Sequence, residues 1–151
     1  MALDDDIRIL SAVRLFEGFT QEQLRLLAFG AETTLLQANH KLYREDDVAD
    51  SAYIVVSGRI VLYREQNGDR IPINTVGPGT ILSELALIAD TNRLTSASAE
   101  IDSEVLRLSR KMFRRILEEY PEIAVNLHQR ILEDFQALIR RIEELAPRFT
   151  G

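Results

Sequence analysis

Between residue 31 and about residue 109 the chain is cut by turn-forming residues roughly every ten positions, a spacing that belongs to all-β sandwiches and barrels. The runs between the cuts favour strands. They are Thr33-Thr34-Leu35-Leu36, Ala52-Tyr53-Ile54-Val55-Val56, Arg59-Ile60-Val61-Leu62-Tyr63, Ile71 to Val76, and Glu104-Val105-Leu106-Arg107-Leu108. Ser57-Gly58 and Asn67-Gly68-Asp69 are hairpin signals, because Asn-Gly tolerates the positive φ that a tight primed turn demands.

Both flanks are helical. Ile7, Ile9, Leu10 and Val13, then Leu24, Leu26, Leu27 and Phe29 behind the N-cap Thr20, predict two short helices with a turn at Glu17-Gly18. After residue 110 the pattern predicts a helix over Lys111 to Glu119, ending before Pro121, which suits the first turn of a new helix. That last helix, 121 to 146, would be about 38 Å long. Its apolar residues Ala124, Leu127, Ile131, Phe135, Leu138, Ile142 and Leu145 form a near-heptad stripe. The stripe either packs on the barrel or, as the preferred expectation, meets the same helix of a second copy in a homodimer. Arg130, Glu133, Asp134, Arg140, Arg141, Glu143 and Glu144 flank it as a solvated face, which argues against a membrane- or DNA-gripping helix. The expected fold class is α+β, mainly β. It is an all-β sandwich or barrel over 31–109 with N-terminal helices over 1–30, a short helix inserted in the barrel, and C-terminal helices over 110–147, all in one domain, 1–151.

Composition removes several functions. Of the 151 residues none is Cys and two are His, so a disulfide framework, a thiolate site and a Cys nucleophile are excluded, and His40 and His128 have no metal-ligand partner at useful spacing. No catalytic step is expected, since nothing resembles a nucleophile with an adjacent base. The acidic start Met1-Ala2-Leu3-Asp4-Asp5-Asp6 is unlike a secretory leader, and the apolar runs fall short of the ~18 residues that cross a bilayer. A cytoplasmic chain with no membrane partner is expected. A net charge of −6 disfavours DNA or any bulk polyanion but leaves open one small anion held by one Arg.

Such a site is written between Gly77 and Ala99. Gly77-Pro78-Gly79 makes a bend, Ser83 is a good N-cap, and Glu84-Leu85-Ala86-Leu87-Ile88 predicts one or two helical turns stopped by Asp90-Thr91-Asn92. The first turn offers backbone N–H groups to an anion, and Arg93 follows with a counter-charge. Glu84 beside an anion is explained by hydroxyls on the same ligand, as on a sugar phosphate. The bland alternative pairs it with Arg93.

Leu82-Ser83-Glu84-Leu85-Ala86-Leu87-Ile88, four residues, then Arg93-Leu94-Thr95-Ser96-Ala97-Ser98-Ala99 resembles the phosphate-binding cassette of cyclic nucleotide-binding domains. The bacterial catabolite activator and the protein kinase A regulatory subunits belong to that family. Leu42-Tyr43-Arg44-Glu45-Asp46-Asp47 followed by Asp50, Tyr53, Ile54, Val55 and Gly58 resembles its first hairpins. The resemblance implies that the barrel is jelly-roll-like, that Arg93 pairs with the cyclic phosphate, that Glu84 accepts from the ribose 2′-hydroxyl, and that amides near Leu85 and Ala86 donate to phosphate oxygens. Ser83, Leu94 and Thr95 complete the cassette contacts, and Leu62, Asn74 and Val76 would line the base pocket. Ser83 stands where the family has Gly, Asn92 where it has Pro, and Asp46 where it has a turn Gly. Leu94 removes a hydroxyl contact, favouring cAMP over cGMP as ligand, and Leu138 and Ile139 replace hydroxyls that the catabolite activator turns toward adenine. No cofactor is implied. The family's transcription factors continue into a helix-turn-helix, whereas Ala146-Pro147-Arg148-Phe149-Thr150-Gly151 leaves no room for one. The expectation is therefore a stand-alone cyclic nucleotide receptor that signals to an unknown protein effector by helix rearrangement. The alternative is a non-binding dimeric interaction module.

Overall fold

The structure, a computed structural model, describes residues 3–145. The expected end of the last helix at 146 and the closing residues fall outside them. Helices α1 (Leu3–Ser11) and α2 (Gln21–Gly30) open the chain, with a 3-10 turn at Arg14–Phe16 between them. Ten strands follow: β1 (Glu32–Leu36), β2 (Lys41–Tyr43), β3 (Val48–Ala49), β4 (Ser51–Ser57), β5 (Ile60–Gln66), β6 (Asp69–Val76), β7 (Ile81–Leu82), β8 (Thr91–Asn92), β9 (Ser96–Ala99) and β10 (Ser103–Ser109). A 3-10 turn at Glu84–Leu87 sits between β7 and β8, and α3 (Arg110–Glu119), a 3-10 turn at Pro121–Ile123 and α4 (Ala124–Glu144) close the described chain.

The strands pair antiparallel in two four-stranded sheets, ordered β1-β10-β4-β7 and β2-β9-β5-β6, with β3 and β8 as a separate ribbon. This is the jelly-roll architecture expected from the sequence. β4 and β10 are buried on both faces, and their period-2 alternation sorts the core in two. Val55 and Val105 point into the roll with Ile60, Leu62, Ile73, Leu82, Ala97 and Ala99. Ala52, Ile54, Leu106 and Leu108 point outward against Leu10, Leu15, Phe16, Leu24, Leu27, Phe113 and Ile116 of the helices.

The helix starts and the β5–β6 turn follow from local chemistry. Thr20 caps α2 in a full capping box with Gln23, and Ser109 caps α3 by accepting from the Met112 amide. Asn67 and Gly68 take φ of 54° and 84°, the primed hairpin turn between β5 and β6. Other expectations need correction. Pro121 starts a 3-10 turn, and the long helix begins only at Ala124. The inserted turn ends at Leu87, ahead of the expected stop, and Thr91-Asn92 goes on to pair with Val48–Ala49. Ser96–Ala99, absent from the expected strands, is a central strand buried at every position.

The heptad stripe of α4 lies against the chain's own core. Leu127 and Ile131 are buried with the N-terminal helices, and Leu138, Ile142 and Leu145 pack on the roll. The flanking charges are not all solvated either. Arg130 donates to the carbonyls of Leu15 (3.1 Å) and Glu17 (2.7 Å), Arg141 to that of Ile73 (3.2 Å), and Asp134 accepts from Arg14 (3.2 Å). These bonds hold α4 across the mouth of the roll.

Gly58 joins β4 to β5 at φ +91°, and a Cβ there would overlap the Ser103 side chain and approach the Asp102 carbonyl to 2.7 Å. Gly58→Ala is expected to lower stability by about 2 kcal/mol or more, measured by urea unfolding, because strain and overlap act together.

Candidate functional site

A cavity of about 540 Å³ opens between the roll, the Glu84–Leu87 turn and α4, a volume within the usual range for small-molecule sites. Ser83, Glu84, Leu85, Ala86, Leu94 and Thr95 line it from the cassette, and Leu62, Asn74 and Val76 line it from β5 and β6. Arg93 does not. The opposite wall is α4, through Asp134, Phe135, Ala137, Leu138 and Arg141.

Arg93 is 5% exposed and lies behind the wall. Its Nη1 donates to the Ser51 carbonyl (2.7 Å) and its Nη2 to the Ser51 hydroxyl (3.3 Å), and Nε has no partner. The guanidinium carbon stands 4.5 Å from the centre of the Tyr43 ring and 5.4 Å from that of Tyr53, within cation–π range of both. The backbone of Arg93 is tied to the turn after β2: its amide donates to the Asp47 carbonyl and its carbonyl accepts from the Asp46 amide, each at 2.8 Å. Asp46 sits at φ +72°, a conformation glycine adopts without strain, which explains the family's preference at that turn.

Tyr43 stands between Arg93 and the cavity. It is almost fully buried and its hydroxyl meets the side chains of Ser83 and Thr95. Burial pushes its phenol above the usual range, against the opposing pull of those hydrogen bonds and of the Arg93 charge.

Ser83 does not act as the expected cap. It adopts φ +61°, ψ +38°, the left-handed region, and its side chain makes no capping bond. A Cβ in that region costs roughly 1–2 kcal/mol, the physical reason for the family's Gly. The inserted helix is one 3-10 turn, in which the Ala86 amide is taken by the Ser83 carbonyl (3.0 Å), so Ala86 is not the free phosphate donor expected from the resemblance.

Glu84 has turned to α4 rather than to Arg93. Its half-buried carboxyl meets that of Asp134 and is raised to about 8, by burial first and then by hydrogen bonding and charge repulsion from Asp134. The far end of the turn is held by Arg110 at the start of α3. Arg110 donates to the Ala89 carbonyl (2.6 Å), more weakly to that of Ala86 (3.4 Å), and pairs with Asp90 (2.9 Å). The cassette is therefore clamped between α3 and α4.

Tyr43, Arg14, Asp134 and Arg141 were not among the residues expected to form the site. Asp134 did carry a signal, since it falls three positions after Ile131 and four before Leu138, on the buried side of the helix. Among the described residues no cluster of His, Asp and Glu has the arrangement of a metal site, and no helix is long and apolar enough to cross a membrane.

A family model described as the cyclic nucleotide-binding domain matches residues 33–120, more than half of the chain. The chain belongs to the cyclic nucleotide-binding domain family. Among solved structures of similar fold is a cyclic nucleotide-binding-like protein from Brucella abortus, 60% identical, with a TM-score of 0.70 over 76% of this chain and 99% of that one. The regulatory domain of Toxoplasma gondii PKA, co-crystallised with cAMP, is 26% identical with a TM-score of 0.70, covering 76% of this chain and 44% of that one. The cyclic AMP receptor protein of Thermus thermophilus is 28% identical over 114 residues, 75% of this chain and 53% of the receptor. Neuropathy target esterase sws of Drosophila grimshawi is 30% identical over 105 residues, 69% of this chain and 7% of the esterase. The chain thus spans about half of that receptor and less than a tenth of that esterase.

Removing the Tyr43 hydroxyl leaves those of Ser83 and Thr95 without it. Tyr43→Phe is expected to cost about 1 kcal/mol, a fall of roughly 2–4 °C in the thermal midpoint.

Proposed function

We propose that this chain binds a cyclic nucleotide, cAMP in preference to cGMP, in the cavity between cassette and α4, and passes binding on as a movement of α4. The observation that carries this reading is a preformed cavity walled on one side by the cassette and on the other by α4, which its apolar stripe and polar contacts dock on the roll. In this reading Glu84 takes the ribose hydroxyl, and the Leu85 amide and the hydroxyls of Ser83 and Thr95 meet the phosphate. Leu62, Asn74 and Val76 face the base, and Leu138 covers it from α4. Leu94 supplies no hydroxyl, which favours adenine.

Arg93 has to leave Ser51 to reach a phosphate, and its unpartnered Nε and two weakly polar rings make that exchange feasible. A charge-assisted pair with phosphate replaces one strong and one long hydrogen bond. Arg110 supplies the route outward, since it ties the end of the cassette turn to the first residue of α3. A cytoplasmic setting and a protein effector are part of the same reading, and no catalytic step is.

A second copy would meet α4 on the face left exposed by the roll, where Val125 (77% exposed) and Leu132 (45% exposed) lie seven residues apart. Sedimentation of the wild type at twice the monomer mass, reduced to monomer by Leu132→Glu, is the expected result.

Calorimetric titration with cAMP and with cGMP tests the binding. Saturable heat with cAMP is expected, with Arg93→Ala losing about 1.5–3 kcal/mol of affinity. Absence of heat with both nucleotides at millimolar concentration, for a protein that melts cooperatively, overturns the reading in favour of an interaction module.

A further inference from the structure

At one corner of the cavity two acids face each other. Glu84 from the cassette turn and Asp134 from α4 line the same cavity, and their carboxyl groups interact. The cation beside them is Arg14, from the 3-10 turn ahead of α2, whose Nη1 lies 3.2 Å from Asp134 Oδ1. The Arg14 side chain is 71% exposed, so water screens most of its charge, while that of Asp134 is 27% exposed. The remaining charged groups of the cavity are spoken for elsewhere. Arg141 donates to Ile73 and lies 3.5 Å from Glu144, and Arg93 sits behind Tyr43 on Ser51. Tyr43 itself faces Ser83 and Thr95, on the phosphate side of the cassette.

Two ionised carboxylates in contact repel, and in a half-buried corner with one screened cation the arrangement holds when they share a proton. We propose that Glu84 and Asp134 share one proton and thereby latch α4 over the cavity, Asp134 standing where a ligand hydroxyl must go. Asp134 is then a positioning residue, acting on the ligand through Glu84 and on the rest of the molecule through α4.

The sign of the pH dependence follows. The folded-state pKa of Glu84, about 8, lies above its ordinary value of 4.5. The contribution of the shared proton is therefore full below pH 4.5, declines as pH rises toward 8, and is absent above it. The ligand arm rests on the nucleotide reading: a hydroxyl that donates to Glu84 needs the carboxylate, so binding expels the shared proton. Affinity should then rise with pH by up to about tenfold per unit until the pair has ionised.

The chain has no cysteine, so Thr75→Cys on β6 and Gln136→Cys on α4, both exposed positions, are unique attachment points for spin labels. Without ligand, the distance between the labels is expected to be short and narrow at pH 6.5 and longer and broader at pH 9. Asp134→Asn, whose amide donates to Glu84 without needing the shared proton, should keep the short distance at both pH values, and Asp134→Ala should give the long one at both. A wild-type distance that does not change with pH, or one that changes equally in Asp134→Asn, overturns the latch. Calorimetry with cAMP adds the second arm: a slope of affinity with pH in the wild type, flattened in Asp134→Asn, and tighter binding by Asp134→Ala. If cAMP does not bind while the distance change persists, the nucleotide reading fails and the latch stands. Binding without slope and without distance change does the reverse.

Discussion

A guanidinium with 5% of its surface exposed must be satisfied from inside the protein, and the satisfaction of Arg93 organises the cassette around it. Burying an unpaired cation costs several kcal/mol, so Ser51 supplies a carbonyl and a hydroxyl while Tyr43 and Tyr53 supply ring faces. The main chain of the same residue is stitched to the Asp46–Asp47 turn. Those contacts fix the downstream end of the cassette against β2 and β4. The upstream end, from Ser83 onward, rests on Tyr43 and α4 instead. The rigid half of the site is the half that holds the cation. The half that holds Glu84 is free to answer to the helix.

The strands legible in the sequence were those long enough to show a continuous run of β-favouring residues between turn signals. β4, β5, β6 and β10 are seven or eight residues long, enough for alternation and hairpin chemistry to show. β3, β7 and β8 are two residues each and carry no period. β9 was hidden for another reason. Ser96 and Ser98 are buried and bonded to the Glu45 amide and the Tyr63 hydroxyl, while Ala97 and Ala99 fill the roll, so a strand enclosed on both sides looks like a polar turn.

The site was partly legible in the same way. Nine of the ten residues expected to form it line one cavity, because the resemblance carries the backbone path of the cassette. It does not carry side-chain direction. Arg93 turns inward because Ser51 and two tyrosines satisfy its guanidinium there, and Glu84 turns to Asp134 because α4 brings that carboxyl within reach. Contacts between residues fifty positions apart leave no local trace, although the place of Asp134 on the stripe of α4 was a trace of burial.

The wall formed by α4 has a thermodynamic consequence. A pocket with a docked helix as one wall has no single intrinsic dissociation constant. Its apparent affinity is the affinity of the competent arrangement scaled by the fraction of molecules that occupy it. Any macromolecule that grips the outer face of α4 shifts that fraction, and by reciprocity the small ligand shifts the grip by the same factor. Sensitivity is therefore not written into the base-facing residues alone: it can be tuned by substitutions at the contacts of Arg14, Arg130 and Arg141.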